Sequence, residues 1–117
     1  MECMAWSAAI LPGKKQDWAA LVEECRGARR EEWIRSRQRA GIVREVVSLL
    51  ETPEGDSIGI FQEADDLAKA FRTIARSDDP FDVWFRQKIE EIHGITAEML
   101  EAPPPARTYL DYKAGGT

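Results

Sequence analysis

His93 is the only histidine of the chain, and it stands eleven residues after Asp82, seven after Arg86 and four after Ile89. On a helix these offsets return to nearly the same angle, so a carboxylate, a guanidinium and an imidazole share one polar seam. Such a pair of titratable groups suits proton transfer, the histidine because its charge changes near neutral pH. At 1.5 Å per residue, however, His93 and Asp82 lie about 16 Å apart along the axis. They would have to act on opposite ends of a ligand and not on one another. The competing role for His93 is structural, as a cation at a helix end or as a partner for a nearby carbonyl.

Other chemistries find less support. A lone histidine with scattered carboxylates is not a convergent ligand set, so no metal site and no cofactor is expected. Cys3 and Cys25 are the only cysteines, far apart and outside metal or redox spacing, and each sits in an apolar pattern where a free thiol packs as a small hydrophobe. There is no glycine-rich phosphate loop, no serine nucleophile elbow and no activated cysteine motif. What remains is cofactor-free chemistry, or binding without chemistry.

The helix that carries the seam is punctuated at both ends. Asp79 suits the N-cap, Pro80 the first helical position and Gly94 the left-handed residue after the last turn. Phe81, Trp84, Phe85, Ile89 and Ile92 recur at three- and four-residue spacing, so its other face must be buried. Ahead of it, Asp65 or Asp66 caps a helix carrying Leu67, Ala70, Phe71 and Ile74, which stops near Ser77. Cys3 to Leu11 alternates as a strand, with Met4, Trp6, Ala8 and Ile10 on one face and a second, largely apolar set on the other. Both faces therefore need cover, and a partner subunit is the expected cover for one of them.

A helix starting near Lys14 buries Trp18, Leu21, Val22 and Cys25, and Trp33 extends that stripe unless Gly27 breaks it. Ile42 to Leu50 is a second strand. Glu51-Thr52-Pro53-Glu54-Gly55-Asp56 is expected to be a bulged hairpin leading into a third strand, Ser57 to Glu63. Thr96 to Leu100 forms a short capped turn, Pro103-Pro104-Pro105 forbids regular pairing, and Arg107 to Lys113 alternates like a fourth strand. Ala114 to Thr117 is expected to fray.

At 117 residues the chain reads as a single domain, residues 1–117. With 44% apolar and 32% charged residues it is globular in composition, and no apolar run approaches the roughly 20 residues of a membrane helix. No basic leader opens the sequence, so a cytoplasmic location, away from membranes, is expected. A net charge of −5 argues against a nucleic-acid partner. The positive charge is nonetheless uneven. Arg26, Arg29, Arg30, Arg35, Arg37 and Arg39 face only Glu31 and Glu32 in that stretch, either as a solvated face with pairs such as Glu31 and Arg35 or as an anion site.

Folded with right-handed crossovers, strand, helix, strand, strand, helix pair, strand gives an α+β, ferredoxin-like βαββαβ arrangement: a four-stranded antiparallel sheet with helices on one face. Ile10-Leu11-Pro12-Gly13-Lys14, the Glu51–Asp56 hairpin, Asp78-Asp79-Pro80-Phe81-Asp82-Val83-Trp84-Phe85 and Tyr109-Leu110-Asp111-Tyr112 span nearly the whole chain. On these features the sequence resembles an uncharacterised family of the dimeric α/β-barrel superfamily. The resemblance implies a homodimer whose two sheets close over a shared barrel interior, with small ligands held between sheet and helices. On that expectation Trp6, Arg44, Trp84, Arg86 and Tyr109 line the ligand site, with His93 and Asp82 as an acid/base pair; the aromatic residues could equally be plain core. The function expected is small-molecule binding by a homodimer. Its rivals are a cofactor-independent enzyme of monooxygenase, isomerase or mutarotase type, and a non-catalytic structural or partner-binding dimer.

Overall fold

The computed structural model describes residues 1–115. Its elements run β1 (Glu2–Ala9), α1 (Lys15–Arg26), α2 (Arg30–Ala40), β2 (Ile42–Thr52), β3 (Gly55–Ala64), α3 (Leu67–Arg76), α4 (Pro80–His93) and α5 (Ala97–Glu101). The strands form one antiparallel sheet in the order β1-β3-β2. This is an α+β fold, but not the expected four-stranded βαββαβ arrangement, because residues 107–113 form no ladder. That segment is tied to β1 by side chains: Thr108 Oγ1 donates to the Cys3 carbonyl at 2.6 Å, and Cys3 Sγ to Asp111 at 3.5 Å. Tyr109, Leu110 and Tyr112 are all strongly exposed. Alternation alone does not make a strand when the outer side chains have nothing to pack against. The expected fraying of Ala114 to Thr117 lies partly outside the described residues.

Helix punctuation follows the residue chemistry. Asp79 accepts from the Phe81 amide, Pro80 opens α4, and Gly94 closes it with φ +73°. Asp66 caps α3 by accepting from the Lys69 amide at 3.0 Å, and Thr96 caps α5. Gly27 separates α1 from α2. A Cβ there would stand 3.0 Å from the Glu23 carbonyl oxygen, tighter than side chains ordinarily pack, so glycine eases the bend. The β2–β3 turn is tighter than expected: pairing continues to Thr52 opposite Gly55, so Pro53 and Glu54 alone turn the chain.

The helices pack on the sheet face bearing Met4, Trp6, Ile58, Ile60, Gln62 and Ala64. The core there is divided. One cluster joins Met4, Ile42, Leu67, Phe71, Ile74 and Leu100, and a second joins Ile10, Leu21, Cys25, Ile58, Phe81 and Ile92; Trp6 and Ile89 touch both. A β-bulge between Ile42 and Arg44 leaves Val43 as an extra residue, 63% exposed. Beyond it the side-chain alternation of β2 is reversed. Glu45, opposite Gln62, therefore faces the helices, whereas Arg44, opposite Glu63, faces away. The sheet's other face carries Ala5, Ser7, Arg44, Val46, Ser48, Leu50, Gly59, Phe61 and Glu63, and no described helix covers it.

Candidate functional site

Between the two halves of the core lies a cavity of about 290 Å³. Its apolar walls come from Trp6, Trp18, Trp33, Phe71, Phe85 and Ile89, with Ile58 and Ile60 of β3 beneath; Arg26 and Arg30 stand where α1 meets α2. His93 closes one side. The polar part is a chain of hydrogen bonds along one wall. The Trp6 indole N–H donates to Gln62 Oε1 at 2.9 Å, and Gln62 Nε2 donates to Glu45 Oε1 at 2.7 Å. Arg37 Nε donates to Glu45 Oε2 at 3.1 Å, and Arg37 Nη1 to Ser36 Oγ at 3.2 Å. Both partners of this ion pair are nearly shielded from solvent, the Glu45 side chain being 6% exposed and that of Arg37 10%. A charge pair so placed holds only because each group is also hydrogen-bonded elsewhere.

The chain continues away from the cavity to Asp82. Ser36 Oγ and Ser77 Oγ donate to its carboxylate, and Arg39 donates through Nε at 3.2 Å and Nη2 at 3.0 Å. Burial alone would raise the Asp82 carboxyl, but these hydrogen bonds and the Arg39 charge outweigh it and hold the group below its ordinary value. Asp82 is thus an ionised tie between α2, α4 and the segment between α3 and α4. It does not line the cavity.

His93 is half-buried at the end of α4. Its Nδ1 lies 2.8 Å from the Ala9 carbonyl oxygen, which can only accept, so Nδ1 carries the proton. In the neutral ring Nε2 is then an acceptor. Burial lowers the His93 pKa more than the Ala9 bond raises it, so the neutral form is favoured. Cys25, also on the cavity wall, offers no thiolate, because burial pushes its thiol up to about 11.

Of the residues expected to form the site, only Trp6 and His93 are brought together at the cavity. Arg44 is turned to the uncovered sheet face by the β2 bulge, with its guanidinium 5.9 Å from the Phe61 ring. Trp84 packs on Phe81 and carries Arg29 over its ring at 4.0 Å. Arg86 Nη1 donates to the carbonyls of Ile74 at 2.8 Å and Ser77 at 2.6 Å, satisfying the C-terminal end of α3. Tyr109 is 82% exposed. Of the polar residues on the cavity wall, Glu45 and Gln62 were not foreseen, and Arg37 was expected only as one of the arginine-rich stretch.

The arginine-rich segment is not an open anion surface. Arg26 pairs with Glu23, Arg29 with Glu32, Arg35 with Glu31, Arg37 with Glu45, and Arg39 with Asp79 and Asp82. Among the described residues only Arg30 of the six has no acidic partner. No three His, Cys, Asp or Glu side chains among the described residues converge as metal ligands, and no described helix is long and apolar enough to cross a membrane. Comparison with protein-family models, with curated proteins and with solved structures finds no match to this chain.

Proposed function

We propose that the protein binds a small molecule in the cavity between helices and sheet, and does so as a homodimer. The observation that carries the binding half is the cavity itself. A core selected only for packing tends to close a cleft with apolar walls, because apolar surface left in contact with water forgoes about 25 cal/mol per Å². Here about 290 Å³ is kept between the two apolar clusters. Its mostly apolar walls with a few placed polar groups are the usual make-up of a ligand pocket. A purely structural dimer has no use for it.

The uncovered sheet face supports the homodimer. Val46 and Leu50, 41% and 43% exposed, lie on it with Phe61 and small residues, and the charged pair of Arg44 and Glu63 stands at one end. Two such faces meeting across a twofold axis would enclose them as the shared interior of a dimeric α/β barrel. Native mass spectrometry of protein purified without added ligand tests both halves. The expected species is a dimer carrying one small adduct per chain. A monomer at micromolar concentration refutes the dimer; the absence of any adduct, together with no thermal shift on adding small aromatic compounds, refutes binding.

A cofactor-independent enzyme is the second reading, and one observation favours it. His93 has a fixed tautomer and a neutral ring at the cavity wall, which is the state required of a general base. Asp82 has no part in this, being committed to Ser36, Ser77 and Arg39. Chemical change of the bound compound by the parent protein, absent in a His93→Gln variant that still binds it, would decide for the enzyme.

A further inference from the structure

We propose that the cavity's ligand is a small aromatic carboxylate, its ring held among Trp6, Trp18, Trp33 and Phe85 and its carboxylate on the free end of Arg37, with Arg30 beside it at the mouth. This rests on the binding function proposed above and names the ligand class for the same cavity. Arg37 is 9% exposed and fixed on one side by Glu45 through Nε and by Ser36 through Nη1. Its guanidinium lies 4.6 Å from the Phe85 ring centre and 5.8 Å from that of Trp33. Nη2 has no partner among the described residues. Yet no buried side-chain nitrogen or oxygen among them lacks a partner, so Nη2 must touch accessible space. The cavity is the space that Arg37 lines.

An arginine held rigid by a carboxylate and stacked on aromatic rings, with one N–H₂ end open, is already ordered for an anion and loses little freedom on binding it. The charge around the cavity agrees. Arg26, Arg30 and Arg37 line it against Glu45 alone, and Arg30 has no acidic partner among the described residues. Glu45 also sets the ligand's charge. A phosphate dianion beside Arg37 would be repelled by the Glu45 carboxylate about twice as strongly as a monocarboxylate at the same distance, which favours the single charge. Size limits the rest: about 290 Å³ is at the lower end of ligand pockets, which suits one or two fused rings and excludes a long acyl chain. Five aromatic side chains on the walls favour a flat ring over a branched aliphatic body.

The test uses two probes of one shape, 1-naphthoate and the neutral 1-naphthalenemethanol, titrated calorimetrically into the parent protein and into Arg30→Gln. Naphthoate is expected to bind at least about tenfold more tightly than the alcohol, because it gains a charge-assisted hydrogen bond. Arg30→Gln, a change at an exposed position, should reduce that advantage severalfold and leave the alcohol unchanged. Substituting Arg37 would strand Glu45 and endanger the fold, so Arg37 is read in the parent protein, where naphthoate and not the alcohol should shift its side-chain nitrogen resonances. Equal affinities overturn the carboxylate and leave the binding function standing. Tighter naphthoate binding with the Arg37 resonances unmoved overturns the assignment to Arg37. Binding of neither probe overturns this proposal only, provided that a native adduct is seen; with no adduct either, the binding function fails as well.

Discussion

Asp82→Ala removes the acceptor that holds α2, α4 and the segment between α3 and α4 together. The Asp82 side chain is 4% exposed and receives four hydrogen bonds from Ser36, Ser77 and Arg39. Breaking a buried charged pair from one side costs about 3–5 kcal/mol. Two features moderate this. Arg39 is 35% exposed, and it keeps Asp79 at 3.1 Å, so it is not stranded. The two serine hydroxyls are left short of an acceptor, which adds back about 1 kcal/mol. The expected loss is therefore about 2–4 kcal/mol, or a fall in Tm of roughly 10 °C for a chain of this size. Circular dichroism melts and urea titrations should agree on it. The pH dependence gives a second readout. A carboxyl whose folded pKa lies below the unfolded value of about 3.9 contributes its stability above that value and loses it as pH falls through the folded pKa. Asp82→Asn should flatten that acid limb. A loss below about 1 kcal/mol for Asp82→Ala, comparable with Arg35→Gln in the exposed Glu31 pair, would refute the view of Asp82 as a buried tie.

Three further outcomes follow from single contacts. His93 is lowered by burial, so its stabilising contribution is complete above its unfolded pKa near 6.5 and is lost as pH falls through the folded value; His93→Gln should abolish that slope in urea titrations from about pH 7.5 to about pH 5. Trp6→Phe leaves Gln62 Oε1 without its indole donor and should cost about 1 kcal/mol while also weakening binding of aromatic probes at the cavity, measured by denaturation and by calorimetry. Gly94→Ala forces φ +73° on a residue with a Cβ and should cost roughly 1 kcal/mol, although the added atom would meet only Leu11 Cδ1 at an ordinary 3.8 Å; a variant as stable as the parent would show that α4 can end differently.

The elements were legible where local chemistry settles them. Asp79-Pro80 and Gly94 bound α4 whatever packs around it, and Asp66 does the same for the start of α3. The end of the chain was not, because Arg107 to Lys113 has the alternation of a strand without the backbone partner that would make it one. Nor was the polar wall of the cavity. α2 offers few apolar residues, so its arginines read as a solvated face or an anion site, with nothing to mark Ser36 and Arg37 for burial. In the fold that helix turns Ser36 and Arg37 inward, and their burial is possible only because Glu45 and Asp82 wait on other elements. Such pairing between distant positions leaves no periodic trace in the sequence.

The decisive unread feature is a single residue in β2. Strict alternation from Ile42 would send Arg44 and Val46 toward the helices and Glu45 away, and the ligand site implied by the resemblance included Arg44. The bulge at Val43 reverses this. It places Glu45 opposite Gln62 and within reach of Arg37, and it sends Arg44 to the outer face beside Glu63. One extra residue thus sets the charge on both faces of the sheet: a glutamate that pairs with Arg37 inside, and an arginine beside Glu63 outside. Had β2 run without it, Arg37 would lose the counter-charge that permits its burial, and only the contacts of Ser36 and Arg39 with Asp82 would hold the polar side of α2 inward. The cavity's polar wall and the outer face are therefore consequences of the same local irregularity.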